Sequence, residues 1–224
     1  MKRLLLFIII LCFTLIVKAQ RNSDIGIAGG TSFYLGDINQ EKVFYRPGYS
    51  FGPILRHNFN KRTSLRFKAI YTSFSGSDDD FNTVLPDRYR FPNTFSINIL
   101  NFGSQVEYNF FPYLTGDIAY VWTPYIFGGI GYSYILSSSS TSPLAKPAKN
   151  YFNIPFGAGL KVNLSKRMSG GMEGAFHKSF SDRIDGIIPL TGETKVFKTD
   201  WHYFIGLFIT YKFFKFAADC PAYN

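Results

Sequence analysis

The chain has 224 residues, a formal net charge of +9, 19% aromatic residues and only 17% charged residues. An average soluble domain has roughly 25% charged residues, and the 25 Phe, 15 Tyr and 20 Gly favour strands and tight turns over helices. The net charge does not indicate nucleic-acid binding, because the sequence contains no Lys/Arg-rich run with interleaved aromatic residues.

The first 19 residues have the pattern of a secretory signal peptide. Lys2 and Arg3 precede an apolar run at 4–17, and Ala19 is a small residue at the expected cleavage point. The run is shorter than the roughly 20 residues that a membrane-spanning helix needs; a retained membrane anchor is the alternative. The expected organisation is a signal peptide at 1–19, a β-barrel at 20–214 and a periplasmic C-terminal tail at 215–224.

Eight later segments alternate apolar residues with polar or small ones, which is the pattern of transmembrane β-barrel strands. In the clearest segment, 151–164, every even position is apolar. The alternation therefore predicts an all-β fold, an eight-stranded antiparallel transmembrane β-barrel. The predicted strands are 25–35, 49–57, 64–72, 95–110, 122–135, 151–164, 170–180 and 201–213.

The predicted fourth strand changes its pattern midway. Its apolar residues occupy odd positions before Leu100 and even positions after it: Phe95, Ile97 and Ile99, then Phe102, Val106, Tyr108 and Phe110. If all of them face lipid, one extra residue must reverse the alternation. This predicts a β-bulge near Leu100.

The lengths of the connections predict the orientation of the barrel. Long connections at 36–47, 74–93, 136–150 and 181–199 alternate with shorter ones at 60–62, 111–121 and 165–168. Barrels of the outer membrane have short periplasmic turns and longer outer loops. We therefore expect an integral outer-membrane protein with both termini in the periplasm.

The positions that alternate with the apolar face carry the charged residues of the strands. A soluble β-sandwich, the competing fold, would show a polar solvent face, whereas here the face that must contact lipid is almost free of charge. Eight strands enclose a lumen that side chains just fill, so we expect a plugging charge network and no porin-like channel. Its predicted members are Arg56, Arg66, Lys68, Glu107, Lys161, Glu173 and Lys212.

Catalysis and metal binding receive little support from the sequence. His177 and Ser179 with Asp182 could suggest a hydrolase, but both strand residues share the inward parity, away from a lipid substrate. The acidic run at 75–80 lacks the spacing of an EF-hand, and the scattered His residues lack metal-ligand spacing. We expect a protein that is not an enzyme and has no cofactor, metal or small-molecule substrate.

The C-terminal tail contains Cys220, the only cysteine left after removal of the signal peptide. An unpaired cysteine in an exported protein suggests an intermolecular disulfide or a reactive thiol; a buried thiol without function is the alternative. Phe216, Pro221 and Tyr223 accompany it, and these residues suit docking on a partner. The sequence therefore predicts a partner-binding tail.

Several segments together resemble the PorG family, outer-membrane components of the type IX secretion system of Bacteroidetes. They are GGTSFYLGDI at 29–38, GPILRHN at 52–58, SGSD at 75–78, PYIFGGIG at 124–131, DWHY at 200–203 and CPAY at 220–223. The resemblance covers essentially the whole mature chain. It implies a non-enzymatic protein that tethers a periplasmic ring, built from a PorK-like lipoprotein and a PorN-like protein, to the outer membrane. The alternative is a generic OmpA/OmpX-like envelope barrel or surface adhesin that acts through its outer loops, or, less favoured, a lipid-A-modifying hydrolase.

Overall fold

The computed structural model describes residues 23–36, 39, 42, 44–80, 94–141, 148–181 and 200–213. The expected signal peptide at 1–19 and the tail at 215–224 lie outside these residues. The described part of the chain contains no helix that is long and apolar enough to cross a membrane.

The described strands form one closed antiparallel barrel in which each strand pairs with its neighbours in sequence. Pairing of the first strand with the last, from Asp24 opposite Lys212 to Leu35 opposite Trp201, closes it. All eight predicted strands and the predicted fold class are confirmed. The strands are β1 (Ser23–Leu35), β2 (Gly48–Asn58), β3 (Thr63–Ser77), β4 (Thr94–Asn109), β5 (Trp122–Ser140), β6 (Asn150–Asn163), β7 (Met168–Ser179) and β8 (Trp201–Lys212), with a short 3₁₀ helix at Asp78–Asp80.

Apolar side chains cover the outside of the barrel, and charged side chains lie inside it. Ile27 is 64% exposed and Leu207 is 66% exposed, whereas the inward Arg56 and Arg66 are buried. An outer surface of this kind suits lipid, and the closed barrel also leaves no sheet edge open, as lipid requires. The period-two alternation of the sequence therefore assigns the two faces correctly over most of the wall.

The two ends of the barrel differ. The end that holds the connections 59–62, 110–121 and 164–167, together with Ser23 and Lys212, is called the turn end below. The opposite end is called the loop end. β3 and β5 run further toward the loop end than predicted, to Ser77 and Ser140.

The predicted bulge near Leu100 is wrong. β4 keeps one alternation throughout, and Phe95, Ile97 and Ile99 point inward, where they are fully buried. They pack with Tyr34, Phe74 and Tyr151 in an apolar cluster inside the loop end. The irregularity lies on the neighbouring strand instead: Asn98 pairs with Ser137 and Ile99 with Ile135, so Leu136 is the extra residue. The interior has apolar as well as polar layers, so an apolar side chain does not by itself mark the lipid face.

Candidate functional site

A buried ion cluster around Glu107 occupies the centre of the barrel. Arg56 Nε and Lys161 Nζ lie 2.9 and 2.6 Å from Glu107 Oε2, and Ser64 Oγ donates to the same oxygen. Arg66 Nε is 2.9 Å from Oε1 as an ion pair, although its N–H hydrogen bond goes to Gln105. One carboxylate therefore contacts three cations from three different strands.

Glu173 extends this cluster across the lumen. Its Oε2 accepts hydrogen bonds from Arg66 Nη1 and from the Tyr125 hydroxyl, both at 2.6 Å. Asp24 adds a further buried carboxylate that the sequence analysis missed, with Arg56 Nη1 at 3.9 Å. Because Asp24 is the second residue of β1 and precedes the predicted strand at 25–35, alternation alone did not assign its face.

Aromatic rings seal the space around the buried cations. Phe208 lies 5.1 Å from the Arg56 guanidinium, Phe127 lies 5.1 Å from that of Arg66, and the Tyr125 ring is 4.3 Å from Lys161 Nζ. These distances are in the range of cation–π contacts. Side chains thus fill the described lumen at this level, which leaves no room for a channel.

Two of the predicted interior residues lie apart from the main cluster. Lys68 is 8% exposed and makes no ion pair or hydrogen bond with any described residue. It lines a cavity of about 20 Å³ with Glu173, His177 and His202. Lys212 lies at the turn end, where its Nζ is 3.4 Å from the carbonyl of Thr115. The predicted set is therefore one ion cluster and two outlying lysines.

The histidines form a stacked pair, which does not resemble a catalytic site. The rings of His177 and His202 stack with centroids 4.4 Å apart. Ser179 Oγ donates to the carbonyl of Ser181, and His177 Nδ1 lies 3.3 Å from Asn153 Oδ1. Ser179 therefore makes no hydrogen bond to His177, as the hydrolase alternative would require, and Asp182 lies outside the described residues. No group of three or more His, Cys, Asp or Glu among the described residues is placed to hold a metal ion.

The acidic run at 75–80 is held in place by a hydrogen bond and an ion pair from the β1–β2 connection. Tyr45 donates a hydrogen bond to Asp80 Oδ2 at 2.7 Å, and Arg46 Nε forms an ion pair with the same oxygen at 2.7 Å. The Tyr45 hydroxyl, with Arg46 and Lys42 nearby, lowers the pKa of Asp80. Burial, with the hydrogen bond to Asp80, raises the pKa of Tyr45 to about 12. These contacts join the β1–β2 connection to the 3₁₀ helix at the loop end.

The connection 110–121 folds across the turn end as a cap. Tyr113 and Ser169 hydroxyls are 2.6 Å apart, Thr115 Oγ1 donates to Asp24 Oδ2 at 3.0 Å, and the Gly116 N–H donates to Asn163. Gly116 has a φ of +85°, and a side chain there would collide with the carbonyl of Lys166. The sequence predicted only a connection here, because alternation carries no information about irregular segments.

The outer surface of this cap is apolar at its tip and basic around it. Ile118 is 87% exposed, and beside it Lys61 forms an ion pair with Asp117 at 3.0 Å. The Ala119 N–H and Lys61 lower the pKa of Asp117, which keeps the pair charged. Arg62, Lys166 and Arg167 belong to the other two connections of the turn end. The predicted partner-binding residues Phe216, Cys220, Pro221 and Tyr223 lie outside the described residues, and the chain leads to them from Phe213 at this same end.

Comparison with known proteins identifies a family and a fold. The DUF6089 family model, described as a domain of unknown function, matches residues 2–222. No curated protein matches the sequence. The Neisserial surface protein A is similar in structure, with 11% identity, a TM-score of 0.51, and coverage of 85% of this chain and 97% of that one.

Two solved barrels from Pseudomonas aeruginosa are similar at a lower level. The N-terminal β-barrel domain of OprF has 12% identity and a TM-score of 0.40, and covers 84% of this chain and 98% of that one. OprG has 11% identity and a TM-score of 0.46, with coverage of 84% and 96%. At such identities the likeness to the Neisserial protein shows the fold alone, that of an outer-membrane β-barrel.

Proposed function

We propose that this chain, which belongs to the DUF6089 family, is a non-enzymatic outer-membrane anchor for a periplasmic ring of a type IX-like secretion machine. In this role the partners are a PorK-like lipoprotein and a PorN-like protein, and the turn end faces the periplasm. The PorG resemblance of the sequence suggested this function, and the geometry of the barrel supports it in two ways.

The first support is the packed lumen. The cluster of Arg56, Arg66, Glu107, Lys161 and Glu173 lies inside the barrel together with the rings that cover its cations. A barrel filled in this way cannot pass a polypeptide or a solute through its centre. A role in secretion must then use a surface outside the lumen, and an anchor binds its partners through such a surface.

The second support, which carries the proposal, is the ordered cap at the turn end. Contacts of the cap with Asp24, Asn163 and Ser169 tie the connection 110–121 to β1, β6 and β7. The cap therefore presents Ile118 on a rigid support. A preorganised surface loses little entropy on binding, and an exposed apolar tip inside a basic rim suits a partner with an apolar pocket and an acidic border.

The C-terminal tail belongs to the same proposed interface. β8 ends at Lys212, whose Nζ lies 3.4 Å from the carbonyl of Thr115 in the cap, and residues 215–224 follow this strand in the sequence. We expect Phe216, Pro221 and Tyr223 to contact the ring and Cys220 to be the candidate for an intermolecular disulfide. A non-reducing gel of outer membranes tests this last point: wild type should show a high-mass band that Cys220→Ser abolishes. A monomer band in both samples would show that Cys220 forms no intermolecular disulfide, and the proposed interface would then consist of the cap and the remaining tail residues.

Secretion assays separate the anchor from the alternative, an OmpA/OmpX-like envelope barrel or adhesin. Deletion of residues 217–224 or the change Ile118→Asp should abolish secretion and release the ring proteins from the outer membrane. Leu136→Asp, an exposed apolar residue at the loop end, is the matched control and should secrete normally. Normal secretion by both turn-end variants, with a defect in the control, would favour the loop-end function.

A further inference from the structure

A basic turn lies beside the lipid-facing wall at the turn end of the barrel. It is the β6–β7 connection, 164–167, in which Lys166 and Arg167 follow Ser165. Ser165 Oγ accepts hydrogen bonds from the backbone N–H groups of Arg167 and Met168, at 3.3 and 3.1 Å. The turn is therefore ordered by its own contacts.

The Arg167 side chain extends from this turn onto the outside of the barrel. Its Nη1 donates a hydrogen bond to the Tyr211 hydroxyl at 3.1 Å. Tyr211 lies on the outward face of β8, where it is 40% exposed and pairs with Met168 of β7. The guanidinium group therefore stands at the outer wall and not in the lumen.

Aromatic residues place this contact at the boundary of the apolar band. Outward aromatic side chains form girdles at the membrane interfaces of outer-membrane barrels. The exposed aromatic residues of this kind at the turn end are Tyr108, Phe110, Trp122, Tyr211 and Phe213. Because Arg167 contacts one of them, its guanidinium group lies at the level of the lipid headgroups.

Apolar side chains of the outer wall adjoin the basic turn. Met168 is exposed on the outward face of β7, and Ile209 is exposed on the outward face of β8. A Cβ atom on Gly170 of β7 would meet Leu164 Cδ1 at 3.0 Å, so the Leu164 side chain lies against the same wall. A headgroup held by Arg167 would therefore have an apolar surface for its acyl chains directly beside it.

The basic turn has hydrogen-bond donors that the described part of the chain does not use. A guanidinium group carries five N–H donors, and the bond to Tyr211 uses one of them. Neither Lys166 nor Arg167 forms an ion pair with a described residue, and the Tyr211 hydroxyl donates to none of these residues. Asp117, the one acidic residue of the cap, pairs with Lys61 instead. The site therefore combines two positive charges with unused donors.

The charge of this site selects an anion, and its height selects an anion that is anchored in the membrane. Arg binds phosphate through two parallel hydrogen bonds. A phospholipid carries its phosphate directly beside its acyl chains, which matches the order of basic and apolar groups here. We propose that Lys166, Arg167 and Tyr211 bind the phosphate headgroup of an anionic phospholipid, whose acyl chains lie against Leu164 and Met168. This site does not depend on which partner the cap binds.

Native mass spectrometry of the folded protein tests this proposal without any secretion partner. The protein, in a non-ionic detergent without phosphate, receives equal amounts of phosphatidylglycerol and the uncharged lipid digalactosyl diacylglycerol. We compare wild type with Arg167→Gln, Tyr211→Phe and Arg62→Gln. Arg62→Gln is the matched control, because it removes the same charge from the β2–β3 turn at the same end, where Arg62 Nη1 donates to the backbone carbonyl of Phe110. The control separates a specific site from general attraction to the basic turn end.

Wild type and the control should retain phosphatidylglycerol in preference to the uncharged lipid. Arg167→Gln should retain about tenfold less phosphatidylglycerol, which corresponds to about 1.4 kcal/mol, while still running as a folded, heat-modifiable barrel on a gel. Tyr211→Phe removes one donor and no charge, and it should lose less of the lipid. Equal retention by wild type and Arg167→Gln would overturn the proposal, as would an equal loss in Arg62→Gln, which would show diffuse attraction. Displacement by inorganic phosphate at the concentration of the lipid would show a soluble ligand and contradict the lipid source.

Discussion

Arg66 and Glu173 are separated by 107 residues in sequence, yet Arg66 Nη1 lies 2.6 Å from Glu173 Oε2 in the centre of the barrel. This contact joins β3 to β7 across the lumen. Arg66 also lies against Glu107 of β4, so one guanidinium connects both carboxylates. The barrel wall is held by its strand ladders, and its interior is held by this ion cluster.

Removing the central carboxylate should destabilise the barrel strongly. Glu107→Gln leaves Arg56, Arg66 and Lys161 without their shared counter-charge in a fully buried position. Breaking a buried ion pair costs about 3–5 kcal/mol, and we expect a loss of that size in the free energy of unfolding, measured by urea titration in detergent. Lys178→Gln, on the exposed side of β7, is the control and should change little. Equal stability of the two variants would show that the cluster contributes nothing.

The contact between Arg66 and Glu173 can be tested by a double-mutant cycle. Arg66→Met and Glu173→Met should each destabilise the protein, because each leaves a charged partner buried alone. The double variant should be less destabilised than the sum of the two, by about 0.5–3 kcal/mol. Additive effects in urea titrations would mean that the two side chains do not interact.

Closure of the barrel between β1 and β8 should depend on Gly30. A Cβ atom on Gly30 would lie 2.3 Å from the carbonyl oxygen of Ile205, whereas one on Gly29, which points outward, would meet nothing closer than 3.8 Å. We therefore expect Gly30→Val to prevent closure and Gly29→Val to fold. The measurement is the heat-modifiable shift of the folded barrel on a gel. A folded Gly30→Val protein would contradict the observed spacing at this seam.

The assignment of the outer wall to lipid predicts a depth-dependent cost of charge. Leu207 faces outward in the middle of β8, and Leu207→Arg should cost about 2–4 kcal/mol and impair membrane assembly. Phe213→Arg, just beyond the turn end of the same strand, should cost roughly 0–1 kcal/mol. Refolding yields into lipid vesicles measure both. An Leu207→Arg protein that assembles like the control would indicate a water-facing surface.

The contacts of Asp80 predict two pH limits for the loop end. The pKa of Asp80 is lowered in the fold by Tyr45 and Arg46. The stabilisation that Asp80 gives to the loop end is therefore present above the usual carboxyl pKa and is lost as pH falls through the lowered pKa. The pKa of Tyr45 is raised to about 12. The stabilisation that Tyr45 gives to the loop end is therefore present below pH ~10 and is lost as pH approaches 12. Limited proteolysis at the loop end should therefore accelerate at both extremes.

The variants Asp80→Asn and Tyr45→Phe isolate these two limits. Asp80→Asn should remove the acid-side acceleration, and Tyr45→Phe should remove the alkaline one. If wild type and variants showed the same pH profile, the loop end would be fixed by contacts other than those of Tyr45 with Asp80.

Sequence reasoning predicted the wall better than the interior. Alternation assigned the faces of 151–164 correctly, because lipid outside and a packed lumen inside impose opposite demands on neighbouring residues. Alternation failed at Phe95, Ile97 and Ile99, because the apolar cluster around Tyr34 requires apolar side chains just as lipid does. Alternation also predicts which side chains point inward without predicting which of them meet. That Arg66 reaches Glu173, and that Lys68 forms no ion pair with any acidic residue in the described part of the chain, depends on side-chain directions across the lumen.

The cap at 110–121 was beyond sequence reasoning for a different reason. Its contacts with Asp24, Asn163 and Ser169 join segments far apart in the chain, and each is a single hydrogen bond with no periodic signature. Gly116 was the one available signal, since a positive φ favours glycine. A glycine within a polar connection is too common to predict a cap.

Site-specific photo-crosslinking in living cells tests directly whether the turn end docks a periplasmic ring. A photoreactive residue replaces Ile118 in one strain and Leu136 in another, since both are exposed apolar residues at opposite ends of the barrel. We expect adducts with the PorK-like or PorN-like ring proteins from position 118 and none from position 136. Ring adducts from position 136 alone, or none from position 118 in cells with normal ring assembly, would contradict it.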